Sequence, residues 1–319
     1  MSDMHDYKKL LTMDGRVLPA VAMQLLKDRD AREATRDTDH IHPSSLSKRD
    51  WCIRENWYTI KKHPKDAESF SFQRLNVFAE GHNIHAKWQS WLYNAGILEG
   101  MWQCSNPSCV HKWYGVSPQA CPTCQTPKPH YREVPIENEE YRIQGHADGI
   151  INDKTGRAIV EIKSVGLGTI RFEAPDLYKQ YQNKELTIDG LWKKIRQPFS
   201  AHVKQGLLYM YCTGIQDAVI LYEWKPTQEV KEFSIKFNQD LVQPMLDNCK
   251  RLMSAIETTV PPMRPMWAEE PTSSGCRFCS YRNTCWRLED EPRDGDVPEG
   301  LPSPVKAKRV VTRTTKKHR

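Results

Sequence analysis

The run Ala158-Ile-Val-Glu-Ile-Lys-Ser-Val165 constrains this chain more than any other stretch, because a carboxylate and an ammonium alternate there with β-branched residues. Successive side chains of a strand point to opposite faces, so Glu161 and Lys163 share a face while the aliphatic residues around them pack elsewhere. Upstream, YRIQGHADGII (141–151) reads as a second strand ending near Asp148, and Asn152-Asp-Lys-Thr-Gly156 has the residues of a hairpin turn. Such a hairpin sets Asp148 beside Glu161. Two facing carboxylates repel unless a divalent cation lies between them, and hard oxygen ligands suit Mg2+ or Mn2+. Lys163 beside that cation would offer a proton-poor amine or stabilise charge developing on a phosphate. A bare Glu-X-Lys on a hairpin is otherwise an ordinary surface pair, so further residues must decide.

Two predicted helices supply them. Phe78, Gly81, His85, Trp88 and Leu92 recur at spacings of three and four, which makes one inward stripe that includes His85 and leaves His82 off it. Gln205 and Tyr209 share a face of a helix expected from about Pro198 to Cys212 and stopped by Gly214, together with His202 and Cys212. His146 lies on the Asp148 side of its strand and is expected to line the same pocket. The runs AVILYEW (218–224) and VKEFSIKFN (230–238) read as further strands, and Asn238 as the cap of a helix reaching about Thr258. These pieces predict an α/β sheet with helices on both faces.

Asp148 followed by Glu161-Ile162-Lys163 resembles the signature of the PD-(D/E)XK nuclease superfamily. Gly81-X-X-X-His85 ahead of it and Gln205-X-X-X-Tyr209 behind it resemble the flanking helices of the RecB-like exonuclease branch, which includes the CRISPR-associated RecB-type nucleases. The resemblance implies a restriction-endonuclease-like core, a central mixed sheet flanked by helices. It also implies a DNA exonuclease in which Asp148, Glu161, His85 and the Ile162 carbonyl hold Mg2+ or Mn2+. Lys163 would position or activate the attacking water, and Gln205 and Tyr209 would steady the DNA strand. A structure-selective endonuclease or a CRISPR spacer-processing nuclease would use the same residues; a non-catalytic DNA-binding scaffold would have no need of them. The expected substrate is single-stranded DNA or DNA ends, with a recombination or helicase protein as partner. No Gly-X4-Gly-Lys-Ser/Thr loop occurs, so no helicase motor is expected in this chain.

Ten cysteines form the other pattern. The N-terminus has no apolar leader and no apolar run approaches a membrane span, so a cytoplasmic chain with reduced thiols is expected, and metals rather than disulfides. Cys104-X4-Cys109 and Cys121-X2-Cys124 bracket Trp113, Tyr114 and Gly115 in a zinc-ribbon pattern. A segment this small and poor in aliphatic residues could hardly fold without its Zn2+. His111, Lys112, Trp113, Lys128 and His130 leave open whether the insert touches a nucleic-acid strand or is a structural clamp. Near the end, Cys276-X2-Cys279-X5-Cys285 supplies three thiolates and wants a fourth. The family resemblance points to Cys52 and to a 4Fe-4S cluster stapling the two ends of the nuclease region; spacing alone does not separate that cluster from zinc.

A length of 319 residues fits one substantial core with additions. The expected organisation is a helical extension over 1–40, beginning its helix near Pro19 with apolar first turns docked. The nuclease region follows over 41–286, with its cysteine insert at about 101–130, and then a disordered acidic linker and basic tail over 287–319. Net charge is +6, and the last nineteen residues alone hold seven Lys or Arg and no acid, so the basic surplus is in the tail. That tail would raise DNA affinity in a salt-dependent way, or serve as a solubilising or partner-docking segment.

Overall fold

Two stretches rich in Val, Ile, Tyr and Trp, 98–165 and 217–236, supply every strand of a computed structural model that describes residues 16–66 and 70–287. Four helices come first: α1 (Val17–Ala34), α2 (Pro43–Leu46), α3 (Ile53–Ile60) and α4 (Phe72–Asn94). Seven strands follow: β1 (Leu98–Gln103), β2 (Lys112–Val116), β3 (His130–Arg132), β4 (Val134–Asn138), β5 (Ile143–Ala147), β6 (Gly149–Asp153) and β7 (Gly156–Val165). Then come α5 (Leu167–Glu173), α6 (Pro175–Gln182), α7 (Ile188–Lys194) and α8 (Ser200–Thr213), strands β8 (Asp217–Trp224) and β9 (Val230–Lys236), and helices α9 (Gln239–Ile256), α10 (Ser274–Arg277) and α11 (Arg282–Trp286). The main sheet has the order β2-β1-β6-β7-β8-β9, with β3 also on β1, and β4 and β5 form a separate pair. Only β7 and β8 run parallel in the main sheet, so the expected mixed α/β architecture is what forms.

Strand alternation decides what covers each face. Ile159 and Ala218 join Leu207, Leu208 and Met210 of α8, together with α9, in one apolar cluster. Val165, Tyr222 and Trp224 join Leu191 and Trp192 of α7 in a second cluster on that same face. Val160, Ile162 and Leu221 point the other way, against Ile84, Trp88 and Leu92 of α4. Each of these aliphatic side chains contributes about 1.5–3 kcal/mol by leaving water. Glu161 and Lys163 therefore interrupt an apolar face between two clusters, and such polar residues need partners. Helix α8 ends where Gly214 takes φ 75°, a left-handed conformation that glycine adopts without strain. Asn238 caps α9 by accepting the Leu241 amide, as expected.

Three expectations need correcting. Residues 141–151 are not one strand: the chain turns at Asp148, leaving β5 in the small sheet and β6 in the large one. A strand that changes sheets must bend, and Asp148 stands at that corner. On α4 the buried positions are Leu75 and Ile84, while Phe78 is 45% exposed, so the inward stripe is narrower than the spacing predicts. On α1 the anchors are Ala22 and Leu26, and the apolar first turns, Val17, Leu18 and Val21, are exposed. The acidic linker and basic tail lie outside the described residues. Among the described residues no helix is long and apolar enough to cross a membrane.

Candidate active site

The site begins where β6 leaves β7. Their pairing runs from Asp153↔Gly156 to Gly149↔Val160 and stops, while β7 continues to Val165 with β8 as its neighbour. The Ile162 amide that β6 no longer meets donates instead to Asp148 Oδ2 at 2.6 Å. The other oxygen, Asp148 Oδ1, lies 2.9 Å from His85 Nδ1. Gln89 and Tyr131 donate to the Asp148 carbonyl at 3.0 and 3.1 Å. Helix α4 is held in this register by Glu223 of β8, which is 3% exposed and accepts from both Lys87 Nζ and Trp88 Nε1 at 2.6 Å.

On β7, the Lys163 amine pairs with Glu161 Oε1 and donates to Gln205 Oε1 at 3.1 Å. Gln205 Nε2 donates to Tyr209 Oη at 2.8 Å, and Tyr209 Oη donates to the His146 carbonyl at 2.8 Å. Both α8 residues are buried, so their polar atoms are committed to Lys163 and to the strand that leads into Asp148. The His146 side chain itself is exposed and contributes only that carbonyl, contrary to the pocket-lining place expected for it. His82 is also exposed.

Glu161 is 2% exposed, and its Oε2 is buried with no hydrogen-bond partner among the described residues. Burial raises its pKa, the nearby Asp148 charge raises it further, and Lys163 only partly offsets this. Burial works against a charged Lys163 and a charged His85, but Glu161 and Asp148 outweigh it and hold both pKa values above their ordinary range. An orphaned carboxylate oxygen beside a second carboxylate is the donor arrangement that a hard divalent cation satisfies.

One acid here was not anticipated. Glu133, His85 and Asp148 place one ligand atom each within 4.8 Å of one another. Burial and the Asp148 charge raise the Glu133 pKa. Its signal in the sequence is weak, since it stands alone between two short strands without a periodic pattern. Of the metal ligands expected from the resemblance, His85 and Asp148 meet directly, while Glu161 is near enough for its charge to act on both but does not join the group of ligand atoms within 4.8 Å that His85, Asp148 and Glu133 form. Ile162 meets Asp148 through its amide N–H.

The four insert cysteines also converge. Cys104 and Cys124 sulfurs are 3.4 Å apart, Cys109 and Cys121 sulfurs 3.9 Å, and all four lie within 4.8 Å of one another. Four thiolates on one tetrahedral Zn2+, each at about 2.3 Å, would be about 3.8 Å apart, so these four can form a metal-binding site. Around them Lys112, Lys128 and His130 are exposed, and the His111 and Trp113 rings stack at 5.4 Å. Cys52, Cys276, Cys279 and Cys285 line one small cavity with Tyr58, Arg264 and Trp267. No three of these four bring their sulfurs within 4.8 Å. Burial pushes the Cys52 thiol up to about 11 and raises Cys279 as well. Arg264 Nε donates to Cys285 Sγ at 3.4 Å. A larger cleft between α1 and α3, lined by Arg29, Arg36 and Lys48 but also by Asp30, Glu33 and Glu55, includes none of the Asp148 cluster.

No protein-family profile matches the sequence, and no curated protein matches it. Solved structures similar to this fold include SSO0001, with 13% identity and a TM-score of 0.41 over 84% of this chain and 96% of that one. Another is an alkaline exonuclease, LHK-Exo, from Laribacter hongkongensis, with 10% identity and a TM-score of 0.41 over 72% of this chain and 92% of that one. The LHK-Exo complex with dAMP aligns at 11% identity and a TM-score of 0.37 over 69% and 88% of the two chains.

Proposed function

We propose that this chain is a metal-dependent deoxyribonuclease of the PD-(D/E)XK type, acting as a RecB-like exonuclease on DNA ends or single strands. The observation that carries the reading is the meeting of Asp148, Glu161 and Lys163 at one strand junction, with Glu161 Oε2 buried and unpartnered among the described residues. Asp148, Glu161 and His85 would hold Mg2+ or Mn2+, which when bound lowers the pKa of water and neutralises phosphate charge. Lys163 is the chain's own cation at the site; its amine, fixed by Gln205, faces Glu161 and is placed to orient a water or meet charge developing on phosphate. Gln205 and Tyr209 act behind it, fixing the position of the amine rather than competing for substrate.

The two cysteine groups receive different ions. Zn2+ suits the insert, where sulfur separations match one tetrahedral ion. A 4Fe-4S cluster suits Cys52, Cys276, Cys279 and Cys285, whose sulfurs surround a cavity more widely than a single ion requires. End-labelled linear DNA and circular single-stranded DNA, digested in parallel with Mg2+ or Mn2+, test the exonuclease reading. Loss of the linear substrate alone is expected; cutting of the circle assigns an endonuclease instead, and no Asp148-dependent cutting of either defeats the nuclease reading.

A further inference from the structure

Glu133 is the single residue between β3 and β4, so its position is fixed by one strand from each sheet. Strand β3 is also the returning stem of the cysteine ribbon. It pairs with β1 through Met101↔Arg132, Trp102↔Tyr131 and Gln103↔His130, immediately before Cys104 on one strand and six residues after Cys124 on the other. We propose that Glu133 is a further oxygen ligand of the divalent-ion site and that the metal-loaded ribbon holds it there. This inference rests on the nuclease reading of Asp148 and Glu161.

Three observations connect the ribbon to the site. Glu133 offers a carboxylate oxygen within 4.8 Å of ligand atoms on His85 and Asp148, and Glu161, close enough to feel the Asp148 charge, has a buried Oε2 with no hydrogen-bond partner among the described residues. Tyr131, two residues before Glu133, donates its hydroxyl to the Asp148 carbonyl at 3.1 Å and packs edge-on against Trp102 at 5.0 Å. Its ring occupies space that only glycines leave open, since a Cβ at Gly100 would come within 2.7 Å of the Tyr131 hydroxyl and one at Gly149 within 3.1 Å. The stem is thereby keyed to the Asp148 corner by its backbone and by a shape-matched aromatic ring.

The ribbon tip has little else to hold it. Between Cys104 and Pro129 the buried positions are Cys104, Ser117, Cys121 and Pro129, so two of the four sulfurs are themselves the interior of the tip. Removing the ion from such a segment removes its core. Strand β3, three residues long, would lose the turn that registers it on β1, and Glu133 would keep only its attachment to β4. Zinc in the ribbon and a divalent ion at the Asp148 site would then be coupled, although they are bound by separate residues.

The test is Mn2+ binding to the full chain without DNA, read from the electron paramagnetic resonance of free Mn2+, with zinc content measured on the same samples. Glu133→Gln is expected to weaken Mn2+ on the order of tenfold or more while keeping its zinc. Cys124→Ser is expected to lose zinc and weaken Mn2+ by a similar factor. Because loss of zinc can unfold the stem, Tyr131→Phe probes the same link with the cysteines intact, and several-fold weaker Mn2+ binding is expected. Wild-type affinity in Glu133→Gln overturns the ligand assignment, and wild-type affinity in Tyr131→Phe overturns the coupling. Asp148→Asn separates the two levels: if it loses Mn2+ while Glu133→Gln does not, only this inference fails, and if it too binds normally, the nuclease reading fails.

Discussion

The Lys163 amine donates to Gln205 Oε1 at 3.1 Å, and Gln205 in turn donates to Tyr209, which closes the relay on the His146 carbonyl two residues before Asp148. One helix thus fixes both the cation and the strand that carries the carboxylate. Displacing a reacting group by about 1 Å can cost about 100-fold in rate, so Gln205→Leu is expected to slow single-turnover DNA cutting by up to about that factor. Tyr209→Phe leaves the Gln205 amide and the His146 carbonyl without their shared hydroxyl and should destabilise the fold by about 1–3 kcal/mol. Rates measured at matched DNA occupancy check the first expectation and chemical denaturation the second. Unchanged values in both variants would show that the relay positions nothing.

Lys163→Met removes the amine and keeps the bulk of the side chain. Cutting is expected to fall by about 10²–10⁴-fold with DNA binding retained. The buried Glu161 carboxylate is then left unpaired, which costs about 3–5 kcal/mol when no cation replaces the lysine. Stability should therefore be lower in chelator than in Mn2+, a difference that thermal melts with and without the ion would show. A variant that cuts at the wild-type rate contradicts the role given to Lys163.

Period-two alternation placed Glu161 and Lys163 on one face, and that face is where both are found. The Asn152–Gly156 turn likewise fixed the register that runs to Gly149↔Val160, with Asp148 the next residue along the chain, because hairpin register follows from the turn. Less was legible at the corner itself. Nothing in the period of 141–151 separates one strand from two that part at Asp148, since the change of sheet depends on β5 pairing back on β4 while β6 pairs with β7 and with the distant β1. Glu133 was invisible for the same reason, being a lone acid whose neighbours are brought together by the insert and by α4. Phe78 follows the helical spacing of α4 yet faces solvent, because the sheet beneath is covered by Ile84, Trp88 and Leu92.

His202 gives the fold a dependence on pH of its own. Burial pushes its pKa down to about 3, the Lys163 charge adds to this, and its Nδ1 lies 2.6 Å from the Tyr222 hydroxyl. In the unfolded chain it titrates near about 6.5, so between those values the unfolded state holds a proton that the folded state refuses. Stability is full above about pH 6.5 and falls as pH drops through the window, by up to about 1.4 kcal/mol per unit. Urea unfolding at pH 7 and pH 5 should show this loss in the wild type and a smaller one in His202→Gln. Equal losses would remove His202 as its source.

Cys52 opens α3 and Cys279 lies near the end of the described chain, so a cluster bridging them closes a loop of more than two hundred residues. By the chain-entropy estimate for long cross-linked loops such a closure is worth roughly 5 kcal/mol. Cys279→Ser is therefore expected to lose iron and unfold, rather than merely slow its chemistry. Visible absorbance, iron content and thermal melts on the purified protein check this, and a stable, fully active Cys279→Ser protein contradicts it.

The central claim is that oxygens of Asp148 and Glu161 jointly hold a divalent ion that makes this chain cut DNA. The most direct measurement is release of nucleotides from end-labelled linear DNA across an Mn2+ titration, for the wild type beside Asp148→Asn and Glu161→Gln. Mn2+-dependent release that both substitutions abolish, with DNA binding retained, is the predicted result. Release that persists in either variant, or that needs no divalent ion in the wild type, would contradict the account.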